Sequence, residues 1–120
     1  MTKITYNTPT TLAEKLQYVS LKCALKFIAG TNHYHFEKPK EGDRVILVPE
    51  PLNKKDPKAI AIYNMKLQKM GHLTKQKKVN EYVFDILYGK TPAYGIIRTI
   101  ENKETTPLYL LDLTNISERL

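Results

Sequence analysis

The sequence predicts a mostly β domain of the α+β class, an antiparallel β-barrel with one or two helices. Three observations predict it. Short β-branched runs recur between turn signals from residue 44 to residue 73. Two further apolar runs lie near the C-terminus, separated by a polar loop. Between these groups one segment switches to a helical hydrophobic period. Closing such strands into a barrel removes exposed edges, so a barrel with an inserted helix is the simplest architecture.

The elements follow in order. Residues 1–10 read as loosely structured, with Pro9 in a Thr-rich context. TTLAEKLQYV places Leu12, Leu16 and Val19 at helical spacing, a short helix near 11–19. Thr10 or Thr11 would cap it, with Glu14 three residues after Thr11. LKCALKFIAG, residues 21–30, reads as a strand: Leu21, Cys23, Leu25 and Phe27 alternate with Lys22, Ala24 and Lys26. The polar loop NHYHFEKPKEGD ends in the turn signal Gly42-Asp43. RVILVPE (44–50), KAIAIYN (58–64) and KLQKMGHL (66–73) form a meander of three strands, with a tight connection at Asn64 and Met65. TKQKKVNEYVFDILYG puts Val79, Tyr82, Val83, Ile86 and Leu87 on one helix face, a helix near 75–88. Thr74 is the candidate N-cap, and Gly89 sits where a helix C-terminus favours a left-handed residue. AYGIIRTIEN and TPLYLLDLTN then read as two strands around the loop ENKETTP.

The chain has 120 residues, which suits one domain with a core that needs no metal or disulfide. Cys23 is the single cysteine, so no disulfide forms within the chain and a reducing compartment fits. It is expected as a small core residue. The N-terminus MTKITYNTPTT lacks the apolar stretch of a signal peptide, and no apolar run approaches the length of a membrane span. A cytoplasmic location is expected (nuclear in a eukaryote), with no membrane partner. The net charge is +7. Residues 1–32 carry +3, residues 33–90 carry +5 and residues 91–120 carry −1. A positive field over the first three-quarters of the chain favours a polyanion.

GDRVILVPEPLNKKDPKAIAIYN and KMGHL resemble the HIRAN domain family. The matching features are the turn Asn53-x-x-Asp56 after a strand, the strand Ala59-Ile60-Ala61-Ile62, and Gly71-His72-Leu73 at the end of the next strand. IAGTNHY, residues 28–34, is similar to the family's opening strand and its Gly-centred exit. The resemblance covers roughly residues 22–100; any one piece is weak, and the combined spacing is specific. It implies a modified OB-like β-barrel with helices. HIRAN modules occur attached to SWI/SNF-type remodelling helicases and as short standalone proteins in bacteria and phages. A helicase-attached member grips the free 3′-hydroxyl end of single-stranded DNA and helps remodel stalled forks. This chain is similar to the standalone type, with no room for a helicase motor.

The resemblance also implies roles for individual residues. Asp56 matches the carboxylate that accepts a hydrogen bond from the terminal 3′-hydroxyl, a chemistry that suits a carboxylate. Lys55 stands where the family has an aromatic, a departure at a base- or sugar-facing position. His72 and Lys75 match phosphate-holding positions, Lys75 beside a helix N-terminus. His33 and Tyr34 stand at tyrosine positions of the DNA-end binder, and Asn32 at its arginine, so one phosphate contact is absent. His33 is then a base-stacking candidate, and Tyr34 a second one or a core residue.

Each reading has a plainer rival. Asn53 is read as an Asx-turn residue serving the backbone, and Asp56 as either a turn residue or a ligand group. A lone His such as His72 is ordinarily a satisfied surface residue, and only the family pattern makes it a contact. Lys54, Lys55, Lys75, Lys77 and Lys78 form two basic clusters, either a solvated face or a phosphate track flanking a pocket. His33-Tyr34-His35 puts two imidazoles on one strand face, but no further His or Cys lies at ligand spacing, so no metal or cofactor is expected. No enzyme motif is present; Asp43, Glu50 and Asp56 are the only acids a magnesium-dependent nuclease would have. The expected function is non-catalytic recognition of the 3′-hydroxyl end of single-stranded DNA, in DNA repair or replication-fork processing. The alternative is a regulatory module that binds a protein partner and keeps the fold without end recognition.

Overall fold

The computed structural model describes residues 10–22, 24–88, 93–103 and 106–116. Its elements are α1 (Leu12–Lys22), β1 (Leu25–Ala29), a 3-10 turn (Thr31–His33), β2 (Arg44–Pro49), β3 (Ile60–Tyr63), β4 (Lys69–Leu73), α2 (Lys77–Leu87), β5 (Ala93–Lys103) and β6 (Thr106–Asp112). The strands close into an all-antiparallel barrel in the order β1-β4-β3-β2-β5-β6, with β6 returning to β1. Closure therefore leaves neither end of the meander as a free edge.

Local chemistry explains where the elements start. Thr11 Oγ1 accepts from Glu14 N at 3.1 Å while Glu14 Oε1 accepts from Thr11 N at 3.2 Å, the reciprocal capping box expected for α1. These bonds from Thr11 lower the Glu14 carboxyl below its usual pKa. α2 begins differently from expectation. Thr74 does not cap it; its Oγ1 donates to Phe27 O at 2.7 Å and so ties β4 to β1. Gln76 occupies the N-cap position with no side-chain cap of its own, and Asn80 Oδ1 reaches back to accept from Gln76 N at 3.1 Å. Gly89 lies outside the described residues.

The core takes the inward residues of every strand and one face of α2. Val45, Leu47, Ile60, Ile62, Met70, Ile97 and Leu111 are buried, joined by Val79, Val83, Ile86 and Leu87, the helical positions expected from spacing. Tyr82 packs edge-on against Tyr18 at 5.1 Å, and Lys15 pairs with Asp85 at 2.9 Å, so α1 is held against α2 by both apolar and ionic contacts.

Two strand readings need correction. α1 runs through Lys22, so Leu21 is helical and 74% exposed rather than part of a strand. In β1 the buried face is also the opposite one: Lys26 and Ile28 point inward, whereas Leu25 is 43% exposed. Lys26 tolerates burial because its ammonium donates to Asn80 Oδ1 at 3.1 Å and Gln76 Oε1 at 3.3 Å. Cys23 lies outside the described residues. β4 starts at Lys69, later than expected, because Asn64 organises a wider turn. Asn64 Oδ1 accepts from Lys66 N and Gln68 N, at 3.1 and 2.9 Å. Asn64 Nδ2 donates to Glu37 O and Gln68 Oε1, at 3.0 and 2.8 Å. This network holds Leu67 at φ 63, a left-handed conformation that a Leu adopts only under constraint. Among the described residues no helix is long and apolar enough to cross a membrane.

Candidate nucleic-acid interface

Strand register builds a pocket on the outside of the barrel. Val48 pairs with Ala61, and Ala61 with His72, so these side chains share one outward row. Glu50, two residues beyond Val48, takes the same face, and Glu50 N donates to Ala59 O at 2.9 Å. Ala59 and Ala61 on this row are small and buried, and Glu50 bonds across it to β4. Glu50 Oε1 lies 2.7 Å from His72 Nε2, and Oε2 accepts from Lys69 Nζ at 2.9 Å. Asn53 Nδ2 adds a third bond to Oε1 at 3.2 Å. Gly71 is required beside this cluster, because a Cβ there would stand 2.3 Å from Ala29 O.

Burial acts to raise the Glu50 pKa, but the bonds from Lys69, His72 and Asn53 outweigh it and hold the carboxyl at about 2. Glu50 is then an acceptor only, so His72 Nε2 carries the hydrogen it shares. Burial acts to lower the Lys69 pKa, and the Glu50 carboxylate overcomes this and raises it. Tyr34 leans over the pair: its ring lies edge-on to His72 at 6.3 Å, with Lys69 Nζ at 5.5 Å from its centroid. Tyr34, Glu50, Leu52, Asn53, Lys69 and His72 together line a pocket of about 470 Å³. That volume suits a small ligand or a terminal nucleotide.

The loop between β2 and β3 owes its shape to side-chain bonds. Asn53 Oδ1 accepts from Lys55 N and Asp56 N, both at 3.0 Å, and Asp56 Oδ1 accepts from Lys58 N at 3.0 Å. Asn53 is thus an Asx-turn residue, and its amide also serves Glu50. Of the sequence-derived candidates, the pocket gathers Tyr34 and His72. Asp56 is half-buried in the loop turn and does not line it; Lys54, Lys55, Lys75 and Lys78 are exposed on the flanking segments. His33 is exposed at the end of the 3-10 turn, so His33 and His35 do not share a strand face.

Sequence reading named Glu50 only as a nuclease acid and did not name Lys69. The acids considered for a nuclease do not converge. Asp43 lines a separate depression and accepts from Lys40 N at 2.8 Å. Among the described residues no group of three or more His, Cys, Asp or Glu is placed to hold a metal ion. The signal for Glu50 was present in strand parity, as the outward residue following Val48. Its partner Lys69 became visible only once the start of β4 was known.

The family model for the HIRAN domain matches residues 22–106. The chain belongs to the HIRAN family. HIRAN domains are DNA-binding modules rather than catalytic ones. A crystal structure of a protein from Lactobacillus plantarum is similar at 18% identity and TM-score 0.58, covering 74% of this chain and 90% of that one. The HIRAN domain of human HLTF is similar at 21% identity and TM-score 0.54, covering 73% of this chain and 72% of that one. At these identities the likeness establishes the fold, and it agrees with the closed barrel and the two helices. No curated protein sequence matches the chain.

Proposed function

We propose that this HIRAN domain binds the 3′-hydroxyl end of single-stranded DNA in the Glu50 pocket, in DNA repair or replication-fork processing. The observation that carries this reading is the juxtaposition of an ionised carboxylate with two nitrogen donors in one pocket. A strand terminus presents the complementary pair: a hydroxyl donor on the last sugar and an anionic phosphodiester one step behind it. Lys69 and His72 suit the phosphodiester and Glu50 suits the hydroxyl, while Asp56, outside the pocket lining, holds the loop beside it. Tyr34 offers an aromatic edge for the terminal sugar or base. A 3′-phosphate would bring a dianion against the carboxylate, so the same pocket rejects a capped end. Lys54, Lys55, Lys75 and Lys78 add salt-sensitive attraction along the backbone, His33 a stacking surface.

Fluorescence anisotropy of labelled single-stranded DNA at low salt tests the reading. The 3′-hydroxyl strand should bind several-fold more tightly than the 3′-phosphate strand, and Glu50→Gln with Asp56→Ala should erase the difference. Equal binding of both ends would overturn it. One observation favours the rival reading as a protein-interaction module: Glu50 already engages both nitrogen donors of the pocket. In that case neither end binds, and pull-down with the pocket variants becomes the discriminating measurement.

A further inference from the structure

A second surface adjoins the pocket, and nothing so far uses it. Pro51, Pro57, Lys58, Phe84, Asp85 and Tyr88 line a depression of about 450 Å³. Its floor is aromatic. Phe84 is buried, and Tyr88 stacks on it with ring centroids 5.4 Å apart and planes 21° from parallel. Tyr88 is 61% exposed at the end of α2, so its ring remains open to a further flat group. Lys58 Nζ lies over the Phe84 ring, 4.5 Å from its centroid, and lines the same shelf.

The loop between β2 and β3 is the wall between the two depressions. Pro51 lines the aromatic shelf, and its neighbour Leu52 lines the Glu50 pocket and is 92% exposed. The loop is fixed by the Asn53 and Asp56 turns, so both faces are presented by one rigid segment. Its crest carries Lys54 and Lys55, both exposed. The acids nearby are engaged: Asp85 by Lys15 at 2.9 Å and Lys58 at 3.5 Å, and Asp56 by Lys58 N. The shelf thus combines an exposed aromatic face, a lysine-bearing crest and continuity with the pocket.

We infer that the Tyr88–Phe84 shelf is a base-stacking subsite for the same strand whose 3′ end occupies the Glu50 pocket. It takes one base a few nucleotides upstream of the terminus, with the intervening phosphates passing the Lys54–Lys55 crest. Charge complementarity selects this occupant over an uncharged proline-rich peptide, which the aromatic and proline lining would otherwise also suit. Stacking on tyrosine is indifferent to base identity, so the subsite adds affinity without sequence preference. The inference rests on the proposed end-binding reading.

The test is an abasic scan. A labelled 3′-hydroxyl oligothymidylate of about ten nucleotides carries one abasic residue at each successive position from the end. Binding is measured for the wild type, Tyr88→Ala and Tyr88→Phe, with a 3′-phosphate strand alongside. One internal position should cost the wild type about tenfold, within the range of a single base–aromatic stack. Tyr88→Ala should bind the intact strand about tenfold more weakly and show no further loss at that position, whereas Tyr88→Phe should behave as the wild type. The hydroxyl-over-phosphate ratio should be the same in all three proteins. If that ratio holds but the abasic penalties match between wild type and Tyr88→Ala, the shelf is overturned and the end pocket stands. If the ratio is one but the penalty still depends on Tyr88, the shelf stands and the end reading falls. Absence of binding by any strand overturns both, and a proline-rich peptide that binds wild type but not Tyr88→Ala would reassign the shelf to a protein partner.

Discussion

Replacing Glu50 by Gln keeps the shape of the side chain and removes its charge, and the structure sets the size of the effect. The carboxyl pKa falls from 4.5 to about 2 in the folded protein. At about 1.4 kcal/mol per pKa unit, that shift corresponds to about 3 kcal/mol of stability. The Glu50 side chain is 23% exposed, so solvent screening reduces the figure to about 2 kcal/mol. The folded pKa is depressed, so the contribution is fully present above the unfolded value near 4.5 and is lost as the pH falls toward 2. Roughly half should already be gone by pH 3. Urea unfolding of wild type and Glu50→Gln, followed by circular dichroism, measures this directly. The wild type should be more stable by about 2 kcal/mol at pH 7, with a midpoint difference that shrinks steadily between pH 4.5 and pH 3. A gap that is constant with pH would refute the reasoning, because the effect would then come from packing rather than ionisation.

Three other variants probe separate links. Asn80 Nδ2 is buried with no hydrogen-bond partner, beside the Lys26 ammonium and in the first turn of α2. Asn80→Asp should raise stability by about 1 kcal/mol at pH 7 in thermal melts and lose the gain in acid, because it removes an orphan donor and supplies a counter-charge. Gly71→Ala should cost about 2 kcal/mol or more in denaturant titration, since its Cβ would press on Ala29 O across the β1–β4 ladder. The double variant Lys54→Ala/Lys55→Ala should weaken all single strands alike, with the end preference unchanged. The slope of log K against log salt should fall by about 0.7 for each phosphate that the two lysines neutralise in the wild type.

The parts of this fold that periodicity exposes are those whose burial follows from the chain's own alternation. α2 was legible because Val79, Val83, Ile86 and Leu87 pack as their spacing demands. The meander was legible because β-branched residues lie between strong turn signals. β1 was not, because burial of Lys26 depends on Gln76 and Asn80, which are 50 and 54 residues away and carry no signal near Lys26 itself. The start of β4 was hidden for a related reason. Leu67 looks like a strand residue, yet the four bonds of Asn64 make a turn more favourable than one more rung of ladder. The family pattern pointed to His72, near the end of β4, and to Tyr34, just past the 3-10 turn after β1. It pointed equally to exposed lysines, because a motif records which residues are present and not which way they face.

The same distinction governs what the pocket would select if it takes a strand end as proposed. A site built only from lysines would bind any stretch of backbone, because phosphodiesters repeat along the strand. Glu50 changes this by cancelling much of the charge of Lys69 and holding the His72 ring nitrogen, and its low pKa keeps it ionised throughout the neutral range. Interior backbone then gains little in the pocket, since each phosphate brought to the nitrogen donors also approaches the carboxylate. On the proposed reading a strand end gains more, because its hydroxyl would meet the carboxylate as a donor. Glu50→Gln should therefore have opposite effects on two ligands: weaker binding of a 3′-hydroxyl end and stronger binding of a circular single strand. Competition between linear and circular DNA of equal length measures both. If both affinities move in the same direction, Glu50 acts only on the positive field and does not discriminate ends.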